Sequence, residues 1–388
     1  MYTRRQFAGA AAAFAGVSAC TRTKTPRPNA YVFVANSEGK TIAVADLGTF
    51  AVARQIPLEH QPSQVIAPAG APAAYALTPA SGMIHEIDIE QLKVQRKLRL
   101  GQMAVTMRLS TDARSIYVLL SQPRKLVRIA LDRFAADWEM SLPLAAIDFD
   151  LGSYFDPAIK GGRSTGAVSY GASGSFAFFD PGAGGKVALR SPIPIGGEAG
   201  AVRFEYGQEL IVANLSERLL GVYQTVSGKR IVELPLRNRP DHLCFSADSG
   251  QLFVTGEGAD TVSVVWPYRT PEVAETILAG RTPGAMAVSG DPEYLFIASP
   301  TSGEVSILNV GTRKLVAIVS VGAEPAFITT TPNSTYALVL NKKSGDMAVL
   351  RIGTITPTTP TANRAKSASL FTMIPVGSGP VSAAVRMI

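Results

Sequence analysis

Four stretches of this chain repeat one another at a spacing in the forties. They are VFVANSEGKTIAVADLGTFAVARQIPL (32–58), LIVANLSERLLGVYQTVSGKRIVELPL (210–236), LFVTGEGADTVSVVWPYRTPEVAETIL (252–278) and LFIASPTSGEVSILNVGTRKLVAIVSV (295–321). Each holds three short β-branched runs separated by turn residues. Between them lie Pro-led runs that close on a turn: QPSQVIAPAG (61–70), RPDHLCFSADSG (239–250), TPGAMAVSGDP (282–292) and EPAFITTTPNS (324–334). These supply a fourth strand to every unit. A unit of four short strands cannot bury both of its faces alone, so it must stack on copies of itself.

Four strands at this period predict an all-β chain folded as a β-propeller, one blade per repeat. Second strands begin near Tyr31, Ala73, Ser115, Arg163, Glu209, Gln251, Tyr294 and Thr335, a count of eight blades. Residues 120–142 and 169–190 fit the pattern loosely, and a count of seven is the alternative. The phase of the repeat is informative. The first blade opens on a second strand and lacks an inner one, while GSGPVSAAVRMI (377–388) ends the chain as an inner strand without a blade. An unpaired final strand is an open edge, so the C-terminal strand is expected to join the N-terminal blade and close the ring, burying Val381, Val385 and Ile388.

Ser246-Ala247-Asp248, Val34-Ala35-Asn36, Ala213-Asn214 and Thr261-Val262-Ser263-Val264 resemble the turn and strand signatures of the YVTN-type β-propellers, a YncE-like repeat family. The resemblance covers residues 31–388. It implies the fold and leaves the activity open, because its wider relatives include export-pathway binding proteins, lactonase-like enzymes, quinoprotein subunits and haem-bearing reductase domains.

Residues 1–20, MYTRRQFAGAAAAFAGVSAC, place Arg4 and Arg5 before an apolar stretch that is too short to span a bilayer. Thr3-Arg4-Arg5-Gln6-Phe7 resembles a twin-arginine export signal, and Val17-Ser18-Ala19-Cys20 resembles a lipobox. Cys20 is then the lipidation site, residues 21–30 are a tether, and residues 31–388 form a single propeller domain, located in the periplasm or at the cell surface. The charge follows this division. Of the formal +7, Arg4 and Arg5 lie in the signal and Arg22, Lys24 and Arg27 in the tether, which leaves only +2 on residues 31–388. A nucleic-acid partner would call for a basic face on the domain itself, so none is expected, whereas the tether charges suit anionic lipid headgroups. With Cys20 acylated, Cys244 has no mate within the chain and reads as a small buried hydrophobe.

Catalytic motifs are sparse. GAGGKV (182–187) places Val187 where a phosphate loop needs Ser or Thr, and there is no Gly-x-Ser-x-Gly elbow. Only His60, His85 and His242 occur, too few for a multi-histidine metal site, so no metal centre is expected. Inner strands line the channel of a propeller. Aligned on the turn that follows, they place Arg108, Arg203 and Cys244 where other repeats have Ile66, Ala287, Thr329 and Ala384. Arginines at such positions need partners or a ligand. Asp148 and Asp150 on another inner strand, and Asp241 beside His242 at the mouth, are the candidates.

The expected function is therefore that of a monomeric, exported binding propeller that meets a protein partner or small ligand at the channel mouth and requires no cofactor. Two alternatives stay open. One is a haem-type (haem d1-like) cofactor protein with His242 as axial ligand and Arg108 and Arg203 answering the macrocycle carboxylates. The other is a lactonase-like hydrolase using channel carboxylates and a cation.

Overall fold

The structure, a computed structural model, describes residues 29–156, 160–181, 189–205, 209–268, 270–355 and 370–388. The export signal, Cys20 and the tether to residue 28 lie outside these residues, as do residues 182–188 with GAGGKV and residues 356–369, most of the Thr/Pro-rich stretch GTITPTTPTANRAKSAS (353–369). Among the described residues no helix is long and apolar enough to cross a membrane.

The chain forms eight four-stranded antiparallel sheets arranged as the blades of a propeller. They are designated A to H in ring order. Seven are built from four consecutive strands, and blade A is composite, with the order Ala51–Pro57, Thr41–Asp46, Ala30–Asn36, Pro380–Met387. The terminal strand thus supplies the inner strand that the first repeat lacks, with Phe33 opposite Ala384 and Tyr31 opposite Arg386. The two loosely patterned stretches also form complete blades, C and D.

Alternation in the second and third strands buries both of their faces, because each blade is covered by a neighbour on either side. Ala73–Thr78 and Tyr336–Asn341 are buried along their whole length, and Thr41–Asp46 is buried except at its ends. Apolar clusters accordingly lie between blades: Val34, Leu47, Leu338, Met347 and Ile374 pack together at the A–H junction. Phe50, Tyr336 and Phe371 add an aromatic cluster there, with ring centroids 5.1–6.1 Å apart. Ile388, expected to be buried, lies beyond the end of its strand and is 58% exposed; Pro380, Ser382 and Ala383 are the buried residues of that strand, with Val381, Val385 and Met387 partly covered.

The asparagines of the repeat signature have a defined task. Asn36, Asn214 and Asn341 end second strands, and each donates its amide to the carbonyl of the segment that enters its blade: Val376 at 2.7 Å, Ile195 at 3.2 Å and Val321 at 3.3 Å. These carbonyls belong to buried connections between blades, where an unmet acceptor would be costly.

Loops joining first to second and third to fourth strands share one face. Blade D extends its first hairpin there, as Asp148–Asp156 and Gly161–Ser169, and in blade H the third strand Asp346–Arg351 ends and the fourth strand Leu370–Pro375 begins on it. This is the insertion face. Inner strands begin on the opposite face and run towards it.

Candidate functional site on the channel wall

Strand register fixes one level of the channel. Ile66 is opposite Tyr75, Arg108 opposite Tyr117, Asp150 opposite Ala167, Arg203 opposite Ile211, Cys244 opposite Phe253, Ala287 opposite Phe296, Thr329 opposite Leu338 and Ala384 opposite Phe33. The alignment drawn from the sequence holds, and Asp150 occupies the same position in blade D. Three consecutive blades therefore present Arg, Asp and Arg at one height, with Asp148 two residues earlier on the same strand.

These four side chains meet. Arg108 Nη2 donates to Asp148 Oδ1 at 2.9 Å, and Arg203 Nη1 donates to Asp148 Oδ2 at 2.5 Å. Arg108 Nε also donates to the carbonyl of Phe149 and lies 3.9 Å from Asp150 Oδ1. Asp150 Oδ2 accepts the Phe204 N–H at 2.9 Å. All four are largely shielded, at 26% and 25% side-chain exposure for the arginines and 14% and 19% for the aspartates. Burial works against the ionised form of Asp148, but the guanidiniums of Arg203 and Arg108 outweigh it and hold the carboxyl below the usual range. For Asp150 burial prevails over the same two arginines and raises the pKa. Burial likewise opposes the charge of Arg108, and Asp148 with Asp150 overcomes it, so the guanidinium is held charged.

Asp148 has a second duty. Its Oδ2 accepts the Val202 N–H of the next inner strand at 3.2 Å. Gln64 stands at the equivalent place in blade B, accepting the Met107 N–H at 2.8 Å and donating to the Met107 carbonyl at 2.9 Å. Ser382 does likewise from blade A, accepting the Val65 N–H at 3.2 Å. An inner strand has a free edge towards the channel, and its backbone groups need partners. In each of these three blades a side chain satisfies the edge of the following blade.

Asp241 and His242 form a separate locus on the opposite face. No hydrogen bond or ion pair joins them to Arg108 or Arg203 among the described residues. Asp241 Oδ2 accepts the Glu257 N–H at 2.9 Å and its Oδ1 lies 3.2 Å from Arg239 Nε. His242 borders an open cleft of about 670 Å³, lined also by Asp241, Glu257, Asp260, Pro283 and Pro300. Its ring keeps an exposed surface in the cleft, yet the walls crowd it closely. Desolvation lowers its pKa against the pull of Asp241, which leaves the imidazole neutral at pH 7. Cys244 is held protonated by burial, its pKa raised to about 12.

Asp148 and Asp150, the carboxylates that a lactonase-like cation site would use, are engaged by arginines and backbone donors. Among the described residues no group of three His, Cys, Asp or Glu side chains is placed to hold a metal ion.

No protein-family model and no curated protein sequence matches the chain. Several solved structures share its fold. Dihydro-heme d1 dehydrogenase NirN in complex with DHE is similar with a TM-score of 0.67 at 16% identity, over 92% of this chain and 77% of that one. The Cps50 (Swd1) β-propeller domain of Myceliophteria thermophila is similar with a TM-score of 0.58 at 12% identity, over 74% and 95% of the two chains. Saccharomyces cerevisiae Sqt1 is similar with a TM-score of 0.63 at 9% identity, over 79% and 90%.

Proposed function

We propose that this chain is an exported, lipid-anchored propeller of the YVTN repeat type that acts by binding a protein partner or small ligand at the mouth of its channel, without catalysis. The observation that carries the reading is the state of the channel charges. Arg108, Asp148, Asp150 and Arg203 neutralise one another across three blades, which leaves neither carboxylate of the quartet free to act as a nucleophile or base. The fold is one that commonly mediates protein interaction, and the lipobox-like Val17-Ser18-Ala19-Cys20 supports anchoring. Changing Cys20→Ala should release the protein from the membrane fraction, since a nearly neutral propeller and three tether charges give only weak surface attraction. A variant that remains firmly membrane-bound on fractionation contradicts the anchor. Native mass and absorption spectra of protein purified from its own host test the binding role.

A second reading, a tetrapyrrole-binding propeller, draws on the fold shared with NirN and on the neutral His242 imidazole. The cleft does not fit it well: Asp241, Glu257 and Asp260 line the space that macrocycle carboxylates would enter. If protein from the host carries a haem-type spectrum, His242→Ala should shift its bands; an unchanged spectrum removes His242 as ligand.

A further inference from the structure

We infer that a groove across blade C on the insertion face binds a neutral, polyhydroxylated chain of the oligosaccharide class. The inference starts from a departure from the repeat. At the level of Arg108 and Arg203, the third strands of blades A, D, E, F, G and H carry Val44, Phe178, Val222, Val264, Ile307 and Val349, whereas blade B has Glu86 and blade C has Arg128. Their second-strand partners, Tyr75 and Tyr117, are the only hydroxyl-bearing residues of second strands at that level. A charge at such a place needs a partner. Arg96 Nη2 and Tyr75 Oη donate to Glu86 Oε1 at 2.7 and 3.4 Å, and Arg128 Nε donates to Asp137 Oδ1 at 2.8 Å. Apolar residues fill the position in six other blades, and natural chains break a local rule chiefly where function asks for it.

The two departures flank open space. Glu86, Arg96 and Arg128 stand in a cleft of about 1040 Å³ between blades B and C, bounded by the loops at 69–72, 112–115 and 131–133. Asp112, Ser115 and Arg128 also line a smaller cleft, of about 200 Å³, between blades C and D. The shared residues join the two across blade C, a shape for an elongated ligand. The lining sets its chemistry. Four arginines and five carboxylates line the larger cleft, and three of the arginines are already paired, Arg96 with Glu86, and Arg128 and Arg133 with Asp137. A ligand with net charge of either sign meets repulsion there as well as attraction. Apolar surface is scarce, because the rings of Tyr75 and Phe134 are buried. Guanidiniums only donate and carboxylates only accept, but a hydroxyl does both, so neighbouring sugar hydroxyls can bridge the two kinds of group without breaking an ion pair. Arg114, exposed at the rim, makes no salt bridge and no side-chain hydrogen bond among the described residues, and Thr111 and Ser164 extend the polar lining into the smaller cleft.

The test is calorimetric titration of the chain purified from its host in a non-glycosidic detergent. The neutral probes are maltopentaose, cellopentaose and N-acetylchitopentaose; pentagalacturonate and the chitosan pentamer are their charged counterparts. At least one neutral probe should bind with a Kd below about 1 mM, and its affinity should hold when salt rises from about 0.05 to about 0.5 M, because an uncharged ligand is not screened. Arg114→Ala and Asp112→Ala should each weaken it about tenfold, the effect of losing one hydrogen bond to a charged group, with melting temperatures close to the parent. Lys342→Ala, on blade H, should bind as the parent does. The inference is overturned if no neutral probe binds, if a charged pentamer binds more tightly than every neutral one, or if both groove variants keep the parent affinity. The groove is separate from the channel mouth, so failure here leaves the reading of that mouth untouched.

Discussion

Deletion of residues 380–388 should abolish the folded ring. The lost segment is the whole inner strand of blade A, paired from Ala30 with Met387 to Asn36 with Pro380. Its removal uncovers the edge of Ala30–Asn36, takes Ser382 from the Val65 N–H, and takes Arg386 from the Pro68 carbonyl it meets at 3.0 Å. It also empties the places of Ala383, Val381, Val385 and Met387 in the clusters on both sides of the blade. A fully buried aliphatic side chain is worth roughly 1.5–3 kcal/mol, and a domain is held by only about 5–15 kcal/mol, so partial burial of four such groups together with an opened sheet is comparable with the entire margin. The truncated protein should aggregate or elute as an expanded species in size-exclusion chromatography, without a cooperative melt. Trimming residues 21–28 should hardly move the melting temperature. A soluble monomeric truncation that melts within a few degrees of the parent would show that closure does not depend on the terminal strand.

Asp148→Ala should be the most damaging single change on the channel wall. This carboxylate serves Arg108, Arg203 and the Val202 N–H together, so its loss strands two guanidiniums and a backbone donor in one stroke. Breaking a buried charge pair from one side costs about 3–5 kcal/mol, and access of channel water to the arginines places the expected loss near the lower end, about 3 kcal/mol. Arg203→Met should cost less, because Asp148 and Asp150 keep Arg108. The quadruple variant Asp148→Leu, Asp150→Leu, Arg108→Met, Arg203→Met should recover much of the loss, since apolar replacement of a whole buried ionic group is often neutral or stabilising. Denaturant melts of the three variants measure this; near-additive losses would mean that the quartet does not act as a unit.

Sequence legibility followed the range of the interaction concerned. The repeat period, the blade count and the terminal closure could be read because each depends on a pattern that every blade repeats. Arg108 and Arg203 stood out because a charge had displaced apolar residues at an aligned position. Gln64 and Ser382 did not: a single polar residue in an inner strand is ordinary, and its bond to the following blade exists only once the register of two blades is set. Glu205 was missed for the same reason. It occupies the place where Ser110, Ser246 and Ser289 accept the N–H that closes a turn, and it lies buried and directly opposite Glu209, with burial raising the pKa of both. Only the folded hairpin brings those two carboxyls face to face.

The composite blade also imposes an order in time. Its outer three strands are among the first parts of the fold to be synthesised, yet Phe33 waits for Ala384, a partner more than 340 residues later. Until then blade A is a three-stranded sheet with a bare edge, and blades A and H, although adjacent in space, share no finished core. Pairings this distant are slow to form because the intervening loop must close before any contact is rewarded. Blades B to H can each gather locally, whereas the ring as a whole can close only once Pro380–Met387 is available to blade A. The pairing of Pro380–Met387 therefore sets the order of assembly: while it is unmade, the edge of Ala30–Asn36 stays exposed and the ring stays open.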